Sequence, residues 1–157
     1  MCHHIQSLDI TIKRVISNGL TDLISVQQNL KNLTMCSIDD NLLTNIKPSL
    51  MKHFNTLIRL NLNWNGYTYT RFSFLTEFIN LQELVLTLRY YYCDESFKNL
   101  QHITFPRLQI LKFEKYCPNH KHLTRFLENN GTNLKELYLG YIEHNSINLA
   151  IAKFVQI

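Results

Sequence analysis

A seven-residue pattern of apolar and polar positions recurs along this chain. It is clearest as Asn-Leu-Gln-Glu-Leu-Val-Leu at Asn80–Leu86, and it returns as Asn-Leu-Lys-Glu-Leu-Tyr-Leu at Asn133–Leu139 and as Asn-Leu-Lys-Asn-Leu-Thr-Met at Asn29–Met35. There are six copies when three looser ones are included. Their first apolar residue, Leu in five copies and Ile in the first, stands at 5, 30, 57, 81, 108 and 134, so the period is 24 to 27 residues. A fixed period of this length indicates an array in which each repeat is one supersecondary unit stacked on its neighbours.

Each copy of the pattern predicts a β-strand. Leu84 and Leu86 would share one face of a strand while Val85 lies on the other, because successive side chains of a strand point to opposite faces. The predicted strands lie near residues 6–11, 31–36, 58–63, 82–87, 109–114 and 135–140. The outward position at the centre of each strand is polar in most copies, and the six are Asp9, Thr34, Asn61, Val85, Lys112 and Tyr138. We therefore expect a parallel sheet with one face open to water.

The segments between the strands predict helices that cover the other face of the sheet. After the first strand, apolar residues at helical spacing from Val15 to Ile24 predict a helix of about four turns. The second helix is expected to be capped by Asp39 or Asp40 and to be divided, or restarted, at Pro48. From the second helix to the sixth, the expected apolar stripes are, in order, Leu43, Ile46, Leu50 and Phe54; Phe72, Leu75, Phe78 and Ile79; Phe97, Leu100 and Ile103; Leu123, Phe126 and Leu127; and Ile147, Ile151, Phe154 and Val155.

The repeated Leu-x-x-Leu-x-Leu motif resembles that of ribonuclease-inhibitor-like leucine-rich repeats, and the long strand–helix units resemble the repeat region of fungal F-box/leucine-rich-repeat proteins. The resemblance covers essentially the whole chain. It implies an α/β leucine-rich-repeat solenoid, a horseshoe arc of about six repeats with the sheet on the concave face and the helices on the convex face. The family also carries a Cys or Asn eight residues after the first Leu of each repeat. Only Asn65 matches, since the other five places hold Lys13, Ile38, Arg89, Tyr116 and Ile142.

The same resemblance implies a function in protein binding. In F-box proteins of this kind, a helical F-box segment docks onto a ubiquitin-ligase scaffold and the repeats hold the substrate. No F-box-like segment precedes the repeats here, so we expect the chain to be the substrate-holding part, a single array over residues 1–157 without its caps. A regulatory scaffold without a ubiquitin link, or a truncated relative without function, is the alternative. Uncapped terminal repeats would leave apolar side chains without a neighbour, so self-association or fraying of the ends is expected.

Composition and charge narrow the class of partner. The chain has 157 residues, 45% of them hydrophobic and 18% charged, which suits one sizeable core. Its net charge is +4, but the 16 basic residues never form a run, which argues against nucleic acid or an anionic membrane as partner. The four cysteines lack the spacing of a disulfide framework, and no 18-residue apolar segment or signal peptide is present. We expect reduced thiols and a cytoplasmic or nuclear location.

Motifs for catalysis or metal binding are weak. Cys117-x-x-His120-x-His122 has three possible metal ligands within six residues, and Cys93 and His144 are distant candidates for a fourth. The alternative is a polar loop leading into the fifth helix, and it is the reading we adopt. No nucleophile with a partner base and no glycine-rich phosphate loop is recognisable, so the prediction is a non-enzymatic protein without metal or cofactor.

Aromatic residues gather just after the predicted strands. Equivalent positions of a repeat array stack side by side, so these side chains could form a ridge along one edge; they are Trp64, Tyr67, Tyr69, Tyr90, Tyr91, Tyr92, Tyr116 and Tyr141. Trp and Tyr are enriched at binding hot spots. The ridge either binds a partner or seals the core beneath the loops, and the sequence leaves both readings open.

The predicted partner-binding surface consists of the outward strand positions and part of that edge. On the concave face its residues are Arg59, Asn61, Asn63, Glu83, Val85, Thr87, Lys112, Glu114, Glu136 and Tyr138, and at the aromatic edge they are Trp64, Tyr90 and Tyr141. Basic Arg59 and Lys112 flank acidic Glu83, a mixed pattern that favours a protein over a polyanion. Tyr138, Trp64 and Tyr90 are the expected anchors.

Overall fold

The computed structural model describes residues 3–12, 18–38, 40–64, 72–88, 97–142 and 147–155. Its six strands are β1 (Ser7–Thr11), β2 (Asn32–Ile38), β3 (Arg59–Trp64), β4 (Glu83–Thr87), β5 (Ile110–Tyr116) and β6 (Glu136–Tyr141). The α-helices whose bounds are described are α1 (Asn18–Ser25), α2 (Asp40–Leu50), α3 (His120–Asn130) and α4 (Ile147–Phe154). Short 3₁₀ turns lie at Met51–His53, Phe72–Glu77, Leu100–His102 and Gly131–Asn133.

All six strands form one parallel sheet in the order β1-β2-β3-β4-β5-β6, so each strand pairs with the next along the chain. The predicted α/β class with a parallel sheet is therefore confirmed. The pairing register aligns the repeats, because the inward apolar side chains stack in two rows. The first row is Leu8, Leu33, Leu60, Leu84, Leu111 and Leu137, and the second is Ile10, Met35, Leu62, Leu86, Phe113 and Leu139.

A recurrent hydrogen-bond arrangement fixes where strands β2 to β6 begin. The Gln82 carbonyl accepts bonds from the backbone N–H groups of Gln109 (2.8 Å) and Ile110 (2.9 Å), so one carbonyl holds two residues of the next strand. Gln6, Lys31, Ile58 and Gln109 do the same for the strands that follow them. The asparagine that opens the motif adds to this arrangement, since Asn80 Nδ2 donates to the Asn55 carbonyl at 2.7 Å and Asn133 Nδ2 to that of Pro106 at 3.5 Å.

The helices and 3₁₀ turns contribute to a core on the inward side of the sheet. The first leucine of the motif is fully buried in repeats two to six, with Leu57, Leu81 and Leu108 at 0% exposure. Phenylalanine rings pack together around Phe97, whose ring centroid lies 5.4 Å from those of Phe113 and Phe126. Buried apolar area of this kind is the main favourable term in folding.

Two helix predictions differ from the structure, those for α2 and for the third helical segment. Helix α1 is described over Asn18–Ser25, while Val15, Ile16 and the possible cap Asp39 lie outside the described residues. Helix α2 runs through Pro48 instead of being divided there. The missing proline N–H affects only the last turn, because the helix changes to a 3₁₀ turn three residues later.

The third helical segment, Phe72–Glu77, is a 3₁₀ turn rather than an α-helix. In the fourth, Phe97 is helical and Leu100–His102 forms a 3₁₀ turn, and the residues just before Phe97 lie outside the described ranges. These tighter turns need fewer residues than an α-helix to return the chain to the sheet. Their expected core residues are buried, except that Ile79 is 51% exposed. Phe54, expected in the second stripe, is 39% exposed, because it follows the end of the 3₁₀ turn instead of continuing a helix face.

Polar side chains inside the core bond to the backbone of neighbouring repeats. His53 is 1% exposed, and its Nε2 donates to the Ile24 carbonyl at 2.7 Å. Gln27 accepts from the Ile5 N–H at 2.9 Å and donates to the Leu23 carbonyl at 2.7 Å. Asn130, at 0% exposure, accepts from the Phe105 N–H and donates to the carbonyls of Ile103 and Phe126. Burial of such groups is tolerated because their bonding capacity is used.

His53 should make stability fall in mildly acidic solution. Burial lowers the pKa of His53 from its ordinary value of 6.5; the bond to Ile24 opposes this shift and the charge of Lys52 adds to it. The unfolded chain therefore binds a proton more readily than the folded one, and stability is lost as the pH falls below about 6.5. One proton contributes a slope of at most about 1.4 kcal/mol per pH unit.

Urea denaturation at pH 7.5 and pH 5.5 tests this expectation. The parent chain should lose more stability between the two pH values than a His53→Gln variant, and a His102→Gln variant should behave as the parent, since His102 is exposed. Equal losses in the parent and His53→Gln would show that His53 does not cause the pH dependence.

Candidate functional site

The outward side of the sheet carries two rows of aligned side chains. The row at the strand starts is Ser7, Asn32, Arg59, Glu83, Ile110 and Glu136, and the central row is Asp9, Thr34, Asn61, Val85, Lys112 and Tyr138. We call these two rows, together with Asn63, Thr87 and Glu114, the outward face. Accessible and buried side chains alternate most regularly in β3. There Arg59, Asn61 and Asn63 are accessible, and Leu60 and Leu62 are buried.

Two ion pairs join neighbouring strands on the outward face. Arg59 Nε lies 3.2 Å from Glu83 Oε2, and Lys112 Nζ lies 2.7 Å from Glu136 Oε1. The hydrogen bond that Lys112 donates to Glu136 is the main reason that the pKa of Lys112 is raised above its ordinary value, with the charges of Glu136, Glu83 and Glu114 acting in the same direction. Exposed ion pairs contribute little to stability. Their consequence here is a fixed pattern in which positive and negative groups alternate from strand to strand.

Two predicted members of the partner-binding surface are covered. Val85 is 6% exposed, because the side chains of Asn61 and Lys112 flank this short side chain in the central row. Thr87 is 2% exposed, and its hydroxyl donates to Glu114 Oε2 at 2.7 Å. The prediction that these two side chains are available to a partner is therefore wrong. Thr87 instead holds the exposed carboxylate of Glu114.

A shallow depression of about 240 Å³ lies on the outward face over β1 to β4. Its lining residues are Ser7, Asn32, Leu33, Thr34, Arg59, Leu60, Asn61, Glu83 and Val85. Ser7 and Asn32 were not predicted to lie on this surface. Their position in the repeat indicates it, since both stand one residue before the first inward leucine of their strand, as Arg59 does in β3.

The aromatic residues divide between the surface and the core. Tyr138 and Tyr141 are 51% and 62% exposed, and the Tyr141 ring packs edge-on against Tyr116 with centroids 6.0 Å apart. Trp64 is 2% exposed and packs edge-on against Phe72, so Trp64 offers no ring to a partner and seals the core. The spacing Leu60, Leu62, Trp64 already places it on the inward side. Tyr67, Tyr69, Tyr90, Tyr91 and Tyr92 lie outside the described residues.

The candidate metal motif forms no ligand set in the part of the chain that the structure describes. No three His, Cys, Asp or Glu side chains among those residues lie close enough together to hold an ion. His122 Nδ1 instead donates to Gln101 Oε1 at 2.9 Å, and His120 lies at the first position of α3. Cys93 and His144 fall outside the described ranges, while Cys36 is a free thiol. None of the described helices is long and apolar enough to cross a membrane.

Comparison with known proteins adds no relative. The chain matches no protein-family model, no curated protein and no solved structure. We therefore infer the function from the geometry and chemistry of the outward face.

Proposed function

We propose that the chain is an arc of leucine-rich repeats that binds a protein partner through the outward face, without catalysing a reaction. Six strand–helix units with a period of 24 to 27 residues, paired in register, support the solenoid assignment. In such a solenoid the sheet lines the concave side, a surface that repeat proteins use for binding. The observation that carries the proposal is the row of accessible, mixed polar side chains on a sheet whose other side is packed with leucine.

The charge pattern favours a protein as partner. The cations of the outward face, Arg59 and Lys112, are each paired with a carboxylate, so a polyanion would have to displace Glu83 and Glu136. A protein can match alternating charges with its own, and such complementarity supplies specificity. The exposed Tyr138 and Tyr141 add apolar area at low entropic cost, as is typical of hot spots.

The setting that we propose is substrate recognition for an F-box-type ubiquitin ligase. It rests on the resemblance of the Leu-x-x-Leu-x-Leu repeats to those of F-box proteins. A scaffold that binds a partner by the same face, with no ubiquitin link, is the alternative. Purification of the full-length protein from its source distinguishes the two: subunits of a ubiquitin-ligase scaffold should co-purify in the first case, and their absence would favour the second.

A triple variant tests the outward face. The variant combines Arg59→Glu, Lys112→Glu and Tyr138→Ala, and so replaces both cations of the outward face and its central tyrosine. It should retain the fold, because Arg59 and Tyr138 are exposed and Lys112 is only partly covered. We expect loss of at least tenfold in affinity for any partner identified with the parent chain, measured by titration calorimetry.

The matched control is Lys121→Glu with Arg125→Glu, which makes the same change in net charge on exposed positions of α3. This control should bind as the parent does. Undiminished binding by the triple variant, with circular dichroism showing an intact fold, would place the interface on the helical side or the loops. If the triple variant and the control lose the same affinity for the partner, only the net charge of the chain matters and the outward face is not the interface.

A further inference from the structure

The edge of the sheet at which the strands begin has a distinct surface. A depression of about 460 Å³ lies there, bounded by three successive repeats. We call it the strand-start notch, and its lining residues are Gln82, Pro106, Arg107, Gln109, Thr132, Asn133, Leu134 and Lys135. Two of these eight are cations and none is acidic, in contrast to the outward face, where every cation has a neighbouring carboxylate.

The two cations of the notch are available to a ligand. Arg107 and Lys135 are exposed, and within the described ranges neither forms an ion pair. The carboxylates next in sequence to the notch, Glu83 and Glu136, are already paired with Arg59 and Lys112.

The framework of the notch is fixed by the sheet. The backbone N–H groups of Gln109 and Lys135 bond to the preceding strand at 2.8 and 2.7 Å, so the positions from which these side chains extend are fixed. Leu134, 1% exposed, anchors the last repeat in the core beneath the notch. The carboxamides of Gln82 and Gln109 and the hydroxyl of Thr132 add hydrogen-bond donors around the two cations. Side chains that protrude from a hydrogen-bonded sheet edge need less ordering on binding than those of a loose segment.

We propose that the strand-start notch binds a phosphate monoester, presented by a phosphorylated side chain of a protein partner. A phosphate monoester carries a charge of about −1.5 to −2 at neutral pH and three acceptor oxygens. Two cations with surrounding amide and hydroxyl donors match this charge and this number of acceptors, and arginine can bind phosphate through two parallel hydrogen bonds. A carboxylate would neutralise only one of the two cations. The volume exceeds that of a phosphate group, leaving room for residues beside it.

A nucleic acid fits the notch less well than a phosphorylated protein. Its phosphates are singly charged and follow one another along a strand, so binding requires a line of cations. The equivalent strand-start positions in the other repeats are Gln6, Lys31, Ile58, Gln82 and Gln109, of which only Lys31 is basic. The site is local, which suits a single dianionic group. It is separate from the outward face, so it does not depend on the function proposed above.

Nuclear magnetic resonance titration of the full chain tests the proposal. The probe is a short alanine- and glycine-flanked phosphoserine peptide, compared with the same peptide carrying serine, with inorganic phosphate, and with a mixed-sequence single-stranded DNA. We expect saturable shifts of the Gln82, Gln109 and Lys135 amides with the phosphopeptide. The shifts should weaken at least tenfold in Arg107→Gln/Lys135→Gln. The matched control Lys31→Gln removes an exposed lysine from the equivalent position of an earlier repeat and should bind as the parent does.

The outcomes separate the possible ligands. Tighter binding of the phosphopeptide than of inorganic phosphate would support a protein-borne phosphate, whereas equal or weaker binding would overturn that part and leave a site for free phosphate. Equal binding of the serine peptide, or no loss in the double variant, would overturn the site. If the double variant and Lys31→Gln lose the same affinity for the phosphopeptide, the binding is a general attraction between a basic protein and an anion, and the proposed site is wrong. DNA binding that exceeds that of the phosphopeptide and is lost in the double variant would make nucleic acid the ligand.

Discussion

Replacing Leu84 by alanine should destabilise the protein by roughly 2–5 kcal/mol, the range for removing a fully buried leucine side chain. Leu84 is 0% exposed, and it stands in the first row of inward leucines between Leu60 and Leu111. Truncation removes apolar contacts on both sides, and the hydrogen-bonded strands cannot close together to fill the space. Urea denaturation at neutral pH measures the change.

A second alanine substitution provides the control. Leu149 in α4 is 78% exposed, so Leu149→Ala should change the free energy of unfolding by less than about 0.5 kcal/mol. A loss for Leu84→Ala as small as that for Leu149→Ala would contradict the register of β4, because a shift by one residue moves every side chain of a strand to the other face.

Asn130→Ala should be nearly as destabilising, by about 2–4 kcal/mol, although it removes a polar side chain. Asn130 Oδ1 accepts from the Phe105 N–H at 2.7 Å, and Nδ2 donates to the Ile103 carbonyl at 2.8 Å and to that of Phe126 at 3.0 Å. Alanine leaves at least the Phe105 N–H and the Ile103 carbonyl without these bonds in a buried site. Each buried polar group without a partner costs about 1–3 kcal/mol.

Hydrogen exchange distinguishes this mechanism from a simple cavity. In Asn130→Ala the Phe105 amide should exchange faster by more than the overall loss of stability explains, because its acceptor is gone. Asn129→Ala is the neighbouring control: Asn129 is exposed and donates to the Gln101 carbonyl at 3.1 Å, and its loss should have little effect. A stability loss below 0.5 kcal/mol for Asn130→Ala would mean that water replaces the amide.

The alternation of apolar and polar residues was a reliable guide wherever a whole strand repeated it. The six observed strands overlap the predicted segments and each begins one residue later. The pattern succeeded because inward leucines such as Leu60, Leu84 and Leu111 occur at equal offsets in neighbouring repeats, and only one register buries all of them. The helices were less well predicted. Pro48 lies within a continuous helix, and the third helical segment is a 3₁₀ turn, since any compact connection that buries residues such as Phe72 and Phe78 satisfies the same apolar spacing.

By itself, the sequence determined the period, the strand positions and the inward or outward direction of the strand residues ahead of the register shifts in β2 and β5, because these follow from a local alternation that does not depend on the neighbouring repeats. The tertiary structure decided which outward side chains are accessible. Val85 and Thr87 point outward yet are covered, since accessibility depends on the length and bonding of side chains one strand away. The tertiary structure also brought Gln82, Gln109 and Lys135 together in one notch, because each belongs to a different repeat and only the stacking of those repeats makes them neighbours.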